Sequence, residues 1–199
     1  MNAFPVRSRG PALLLLALFA APLAFAFWLY YGSSWRPAGR TNHGELIQPV
    51  RPLGDVALSP VGGGAPLAKV MQGKWSLVVV GQGGAAEQGC DATCRESLVY
   101  VRQTWLSMGR ELTRMQRVLL APAGCCDAGY LKEQHDGLLA LDASGAAAAP
   151  LLAQFPAPTA GGIYVVDPLG NLLMRYDVHQ DPKGLRLDLK KLLDLSHIG

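Results

Sequence analysis

The chain has 199 residues and a mass of 21.2 kDa, which suits one ordinary domain with attachments and excludes a multidomain enzyme. Half of the residues are hydrophobic and 17% are charged, which excludes wholesale disorder. Four of the 18 Lys and Arg residues precede residue 41, so the rest of the chain has 14 of them against 15 Asp and Glu. Without a basic excess to neutralise phosphates, this part of the chain is not expected to bind nucleic acid.

Residues 11–31 are predicted to form a single transmembrane anchor. They contain no charged side chain, and at about 1.5 Å per residue a helix of this length crosses the roughly 30 Å hydrocarbon core of a membrane. Aromatic residues collect at the distal end, where rings favour the interface. Arg7 and Arg9 precede the segment, so the positive-inside rule assigns residues 1–10 to the cytoplasm and the rest of the chain to the other side.

A cleaved signal peptide is the alternative interpretation of the same segment. Ala24-Phe25-Ala26 matches the small-residue pattern of a cleavage site. The apolar run continues five residues beyond Ala26, however, which is longer than most leaders and favours the anchor. Both interpretations export the domain that follows.

Residues 32–72 are rich in Gly and Pro and have no sustained period, so we predict an extended tether with local order around 42–47. A domain is predicted over 73–199. Its apolar residues from Cys94 to Met115 are spaced by four and three, which indicates one long helix with a buried face. Further helices are predicted at 130–135, at 145–155 and from Asp181-Pro182 onward, and strands at 75–80, 118–121, 138–141, 163–166 and 172–176. The alternation of strands and helices indicates an α/β domain.

Cys90 and Cys94 are the candidate reactive residues. They lie between a buried strand and the long helix, so Cys94 falls in the first helical turn, where unpaired N–H groups and the macrodipole favour a thiolate. Four residues of helix advance about 6 Å, which a disulfide tolerates between two Cα atoms. The pair is predicted to alternate between an internal disulfide and a dithiol that reduces a partner or holds a soft cation such as Cu(I).

In this interpretation Cys94 is the shielded thiol and Cys90 is the accessible attacking one. A purely structural local bridge, or two buried thiols, is the alternative for the same residues. We disfavour the structural bridge because the loop it closes is very short, and the entropic stabilisation from a disulfide falls as the loop shortens.

Cys125 and Cys126 follow the predicted second strand. In a parallel sheet they would lie at the same carboxyl edge as the Cys90 loop, where functional sites collect. Two interpretations stay open for this pair. The cysteines are either functional, as a second redox pair or as extra copper thiolates, or incidental thiols.

The four histidines are less informative. We predict His135, His179 and His197 as solvated surface residues and His43 as a residue of the tether that could act as a floating ligand. The sequence contains no H-E-x-x-H, G-x-S-x-G or phosphate-loop motif, so it does not support a hydrolase or a nucleotide-binding protein.

Five motifs over about residues 73–195 carry a family resemblance: Gly73-Lys74-Trp75, Cys90-x-x-x-Cys94, Ile163-Tyr-Val-Val-Asp-Pro-Leu-Gly170, Leu172-Leu-Met-Arg-Tyr176 and Asp181-Pro-Lys-Gly184. In these motifs the chain resembles the Sco/SenC family, membrane-anchored thioredoxin-fold factors for the copper sites of cytochrome c oxidase. The ending of the chain is similar to a proteobacterial branch of small thioredoxin-like proteins linked with oxidase assembly.

The resemblance implies a thioredoxin-like fold, which is a central mixed sheet flanked by helices. It also implies that a single N-terminal helix anchors this domain in the bacterial inner membrane and that the domain lies in the periplasm. It implies a cytochrome c oxidase subunit or its assembly factors as partner and Cu(I) at Cys90 and Cys94. The chain departs from the family in three places. Asp91 and Arg95 stand where prolines are usual, and Thr159 stands where the family has a copper-ligating His, so this is a divergent branch without that ligand.

Three functional hypotheses follow. The first is a factor for oxidase biogenesis that acts by thiol–disulfide exchange or by Cu(I) handling through Cys90 and Cys94. The second is a general periplasmic thiol–disulfide oxidoreductase that uses the same two residues. The third is a non-catalytic scaffold that binds oxidase subunits.

Overall fold

The computed structural model describes residues 10–33, 41–81, 92–122, 126–156, 162–177, 179, 181 and 183–199. The chain divides into two compact units, Met1–Thr41 and Asn42–Gly199. The described part of the first unit is helix α1 (Gly10–Gly32), which has 23 residues, a mean hydropathy of 2.4 and no buried side chain. In the described chain α1 is the one helix whose length and composition suffice to cross a membrane.

The second unit contains six strands and four α-helices among its described residues. The strands are β1 (Glu45–Pro52), β2 (Trp75–Val80), β3 (Met115–Ala121), β4 (Leu138–Asp142), β5 (Ile163–Val166) and β6 (Asn171–Tyr176). The helices are α2 (Ala92–Leu106), α3 (Ala128–Gln134), α4 (Ala149–Leu152) and α5 (Gly184–Leu195), with 3-10 turns at Gly109–Arg114 and Ala146–Ala148.

The strands form one mixed sheet in the order β1-β6-β5-β2-β3-β4. Strands β2, β3 and β4 are parallel, and β5, β6 and β1 are added through antiparallel pairs. Val80 of β2 is opposite Leu120 of β3, so these two central strands end together at one edge of the sheet. The segments that follow β2 and β3 in the chain therefore leave from neighbouring positions.

Both faces of the sheet are covered, which explains why every residue of β2 is buried. Alternate side chains point to opposite faces. Leu77 and Val79 pack with residues of α2, α3 and α5, whereas Val78 and Val80 pack with the segment after β1 and with α4. The run of apolar β-branched residues in β2 is thus the pattern of a strand buried on both sides.

The segment predicted as a tether contributes to the domain, which begins at Asn42 rather than at Gly73. Strand β1 pairs with β6, and Ile47, Leu53 and Leu58 are buried against the sheet. The tether prediction for these residues is therefore corrected. The apolar residues of this segment are spaced irregularly, because each enters the core from an edge strand or a loop and no repeated face marks them.

The long helix predicted from Cys94 to Met115 ends earlier. Helix α2 stops at Leu106, Gly109 has a φ of 57°, and Met115 is the first residue of β3, opposite Trp75. A left-handed residue cannot continue an α-helix, and Gly adopts that conformation without steric cost. The spacing of four and three continued through the turn by coincidence.

The other predicted elements are confirmed with small changes at their ends, except the helix predicted over 145–155. The helix predicted over 145–155 is a 3-10 turn followed by the single turn α4, in which Pro150 stands at the start. Proline is tolerated in the first turn of a helix but not in its interior, so this segment cannot form the longer helix.

Candidate redox site

Cys94 is the third residue of α2, as predicted, and lies in its first turn. Its side chain is 4% exposed and packs in the core cluster that also contains Leu98 and Val101. The unpaired backbone N–H groups of a first turn favour negative charge, which supports a thiolate at this position. The same burial shields the sulfur from large molecules in solution.

Cys126 lies where the chain leaves β3 and enters α3. Asp127 is the N-cap of α3, and its Oδ2 accepts the backbone N–H of Tyr130 at 2.9 Å. This cap fixes the direction in which the chain turns away from the sheet edge. Cys126 is partly buried against the same core cluster that contains Cys94.

The sulfur atoms of Cys94 and Cys126 lie 3.9 Å apart. This distance is far longer than the roughly 2.05 Å of a disulfide bond, so the two atoms are in non-bonded contact. Cys126 is itself bonded in a disulfide, whose other cysteine lies outside the described residues. The carboxyl edge of β2 and β3 therefore brings a cysteine of each predicted pair together, in agreement with the expected common edge.

Cys90, Cys125 and Thr159 lie outside the described residues. Two assignments therefore stay predictions: Cys90 and Cys94 as a redox pair, and Cys125 and Cys126 as a second pair. The sequence predicted a common edge for the four cysteines but did not indicate which sulfur of one pair would contact which sulfur of the other.

Arg95, the residue after Cys94, makes a contact between two helices. Its guanidinium lies over the ring of Tyr130 at 5.0 Å from the ring centroid. This cation–π contact links the start of α2 to α3. Sequence reasoning recognised Arg95 as a departure from the family's proline but did not predict this contact, because nothing local connects it with Tyr130.

The prediction that His135 is a solvated surface residue is wrong, because its side chain is 2% exposed. Its Nε2 is 3.2 Å from the hydroxyl of Tyr130. Burial, followed by the positive charges of Arg117 and Arg102, lowers the pKa of His135. Polar neighbours in the sequence suggested exposure, but the turn that ends α3 points the ring inward.

Arg117 is a second buried polar residue that the sequence did not reveal. It is 2% exposed, and its guanidinium lies 4.7 Å from the ring centroid of Trp105. One Nη donates to the backbone carbonyl of Asp136, whereas Nε and the other Nη have no hydrogen-bond partner among the described residues. Burial is the main reason why the pKa of Arg117 is lowered.

His43, predicted as a floating ligand, is held in place. Its Nδ1 lies 2.8 Å from Oδ2 of Asp181, and its backbone N–H donates to Asp188. His179 and His197 are exposed, as predicted. In the described parts of the chain no three His, Cys, Asp or Glu residues are grouped closely enough to hold a metal ion.

A family model described as "Transmembrane-like, thioredoxin-like, C-terminal domain" matches residues 75–196, and a comparison with curated protein sequences finds no match. Among solved structures, apo Sco1 from Thermus thermophilus superimposes with a TM-score of 0.58 at 20% identity, covering 78% of this chain and 99% of that chain. Yeast Sco1 with copper bound gives 0.57 at 17% identity, covering 79% and 96%. The thioredoxin domain of a thiol-disulfide oxidoreductase from Bacteroides vulgatus gives 0.50 at 14% identity, covering 71% and 95%.

The similarity to these solved structures is a similarity of fold. Together with the family model, it confirms the predicted thioredoxin-like α/β architecture and the resemblance to Sco proteins. The matched family model begins with β2 and ends just after α5, so it includes both described cysteines. Since this match extends over more than half of the chain, the protein belongs to the family of transmembrane-like, thioredoxin-like C-terminal domains.

Proposed function

We propose that the protein is a membrane-anchored, thioredoxin-like thiol protein that acts by thiol–disulfide exchange through Cys90 and Cys94. The observation that supports this most directly is the position of Cys94, buried in the first turn of α2 with its sulfur 3.9 Å from that of Cys126. A helix N-terminus favours the thiolate, which is the form that attacks a disulfide. Cys90, four residues earlier in the chain, is the accessible thiol that a partner meets first.

Cytochrome c oxidase biogenesis is the process in which we propose that this exchange takes place. The Sco/SenC resemblance and the shared fold with Sco1 support this choice. The partner would be an oxidase subunit or an assembly factor with a pair of cysteines that must be reduced before they receive copper. An anchor in the same membrane would raise the effective concentration of the thiols at a membrane-bound partner.

Cu(I) is the cargo that the same residues would carry if the protein transfers metal. Thiolate sulfur is a preferred ligand of Cu(I), so Cys90 and Cys94 fit a soft cation in their chemistry. Thr159 supplies no soft donor at the position where the resemblance implies a His, so the chain offers two sulfurs rather than three ligands. Two thiolates hold Cu(I) less securely, which makes exchange the better-supported activity.

The membrane topology is also part of the proposal. Helix α1 is long and apolar enough to cross a membrane. With Arg7 and Arg9 on the cytoplasmic side of the bacterial inner membrane, the thioredoxin-like domain would lie on the other side, in the periplasm.

A protease-accessibility experiment tests this topology. In spheroplasts, added protease should digest the domain, and the mature protein should keep the mass of the uncleaved chain. Protection from protease, or cleavage after Ala26, would contradict this topology or the anchor.

A peptide-exchange assay tests the proposed activity. The full chain in detergent micelles is reduced and mixed with an oxidised peptide that contains two cysteines, and the loss of the peptide disulfide is followed by mass. We expect Cys90→Ser and Cys94→Ser to abolish complete reduction of the peptide. Cys94→Ser should trap a mixed disulfide at Cys90, because the second thiol is then missing. Val99→Ser, at an exposed position of the same helix, is the matched control.

Titration of the reduced chain with Cu(I) against a competing chelator separates metal transfer from exchange. Binding that is lost in Cys90→Ser and in Cys94→Ser, but kept in Val99→Ser, would support copper handling. A wild-type protein that reduces the peptide and binds no Cu(I) would be an exchange protein only.

A general thiol–disulfide oxidoreductase is the second candidate, and the fold shared with the Bacteroides vulgatus domain favours it. It predicts rapid reduction of unrelated model disulfides, so selectivity for the oxidase peptide would exclude it. A scaffold without thiol chemistry predicts normal oxidase assembly in a Cys90→Ala/Cys94→Ala strain. A strong assembly defect in that strain would exclude the scaffold.

A further inference from the structure

We propose that Cys94 and Cys126 form an internal exchange pair, through which the disulfide of Cys126 is passed to the reactive site. This inference rests on the proposed function, in which Cys94 carries thiol–disulfide chemistry. It adds a second route into the site, because Cys126 belongs to the pair that follows β3 and not to the Cys90/Cys94 motif. In this relay, as we call the transfer of a disulfide from Cys126 to Cys94, Cys94 is the residue through which the two cysteine pairs exchange.

The contact between the two sulfurs is the first reason. Cys94 and Cys126 are 32 residues apart in the chain, yet their sulfurs are separated by 3.9 Å. Cys126 is already part of a disulfide, so the contact places a potential nucleophile beside a sulfur that can be attacked. Reacting atoms held near 3–3.5 Å react with a large effective concentration, and the 3.9 Å separation of the two sulfurs is close to that range.

The difference in burial is the second reason. Cys94 is 4% exposed, so a disulfide on another protein cannot reach its sulfur directly. Cys126 is only partly buried, and it lies in the turn between β3 and the capped start of α3. A buried thiol that takes part in exchange needs a neighbouring sulfur through which electrons arrive or leave; the proposed function gives this role to Cys90, and the relay gives it to Cys126 as well. Among the described residues, Cys126 is the sulfur in contact with it.

The step is balanced in atoms and electrons. The Cys94 thiolate attacks Sγ of Cys126, the Cys94–Cys126 bond forms, and the bond from Cys126 to its present partner breaks. That partner leaves as a thiolate and takes up the proton that Cys94 lost. One disulfide and one thiol become a different disulfide and thiol, so no outside oxidant or reductant is needed. The reaction is reversible, and a client at Cys90 sets its direction.

A variant that retains only the proposed pair tests the relay. In the full chain in detergent micelles, Cys90→Ser/Cys125→Ser leaves Cys94 and Cys126. The matched control Cys90→Ser/Cys126→Ser leaves Cys94 and Cys125, a cysteine moved by one residue. Both proteins are equilibrated with glutathione buffers and quenched by alkylation, and trypsin then gives peptide 75–95 linked to peptide 118–132 wherever a disulfide has formed.

We expect the Cys94–Cys126 disulfide to form with an equilibrium constant at least about tenfold above that of the control, which is about 30 mV in reduction potential. Equal constants, or thiols that stay reduced in both variants, would overturn the relay. Because double variants can fold poorly, the wild-type chain is also partially reduced, trapped with acid and digested. Each of the two peptides then carries two cysteines, so fragmentation of the joined peptides identifies which two are linked. Failure to find a Cys94–Cys126 link in the wild type as well would overturn the relay independently of the variants.

The outcome can be separated from that of the proposed function. Cys125→Ser/Cys126→Ser retains Cys90 and Cys94, so it should reduce the peptide in a single turnover if the proposed function holds. Peptide reduction without a Cys94–Cys126 link would remove the relay and leave the function. A link without peptide reduction would remove the function and leave an internal disulfide exchange.

Discussion

The phenol of Tyr176 on β6 donates a 2.7 Å hydrogen bond to Oδ2 of Asp188 on α5. The same oxygen accepts the backbone N–H groups of His43 and Gly44 at 2.8 and 2.9 Å. Asp188 and Tyr176 are 5% and 6% exposed, and burial is the main reason why the pKa of Tyr176 is raised. One buried carboxylate therefore attaches the start of the domain to the sheet and to the last helix.

Removal of this carboxylate should destabilise the domain strongly. Asp188→Ala leaves three donors without their acceptor, and we expect the free energy of unfolding to fall by about 2–4 kcal/mol. Tyr176→Phe removes only one of the three bonds and should cost about 1 kcal/mol. Urea unfolding followed by tryptophan fluorescence measures both values. Equal costs for the two variants would contradict the assigned role of Asp188.

Gly44 should not tolerate a side chain. A Cβ at this position would overlap the ring atoms of Tyr176, which cannot move away because Asp188 holds the hydroxyl. We expect Gly44→Ala to lower the free energy of unfolding by about 1–3 kcal/mol through this overpacking. Gly54→Ala is the matched control, because a Cβ there meets no atom within 4 Å. The same unfolding midpoint in both variants would exclude the steric explanation.

His135 should make stability depend on pH. In the unfolded chain the imidazole has a pKa near 6.5, and burial together with Arg117 and Arg102 lowers this pKa in the folded protein. Below about pH 6.5 the unfolded chain therefore binds more protons at this residue than the folded protein does. The stabilisation that comes from burying the neutral imidazole is complete above the pKa of the unfolded chain. It decreases as the pH falls from that value towards the folded pKa.

Unfolding free energies measured from about pH 7.5 to about pH 5 test this slope. The decrease towards low pH should be smaller in His135→Phe, which has no imidazole to protonate and fills the space beside Tyr130. Glu133→Gln, which removes an exposed charge nearby in the chain, should leave the part due to His135 unchanged. Identical slopes for the wild type and His135→Phe would refute the prediction.

Arg117 should be replaceable by a long apolar side chain. Two of its nitrogens lack a partner among the described residues, so its burial costs solvation that the contact with Trp105 only partly offsets. We expect Arg117→Met to change the free energy of unfolding by less than about 1 kcal/mol or to raise it. Arg117→Ala should lower it by about 2–3 kcal/mol because a cavity remains. Thermal unfolding of the two variants distinguishes charge from packing, and an equal loss in both would show that the charge itself is needed.

Local patterns predicted the strands whose apolar residues follow a simple run or alternation. The apolar run of β2 and the hairpin of β5 and β6 are visible in the sequence because each of these strands satisfies a simple pattern. The first-turn position of Cys94 follows in the same way from a strand followed by a helix. Strand β1 escaped prediction, since its register with β6 is irregular between Leu46 and Arg51 and gives no clean alternation.

The sequence by itself determined the apolar N-terminal helix, the α/β order of the domain and the junction at which Cys94 lies. Each of these depends on neighbours along the chain, whose spacing is read directly. Only the tertiary structure decided that Cys94 contacts Cys126, that His135 is buried and that Asp188 binds the start of the domain. These contacts join segments that are distant in the sequence. They depend on the order of the strands in the sheet and on the direction in which each segment leaves the sheet edge. No local periodicity encodes that information.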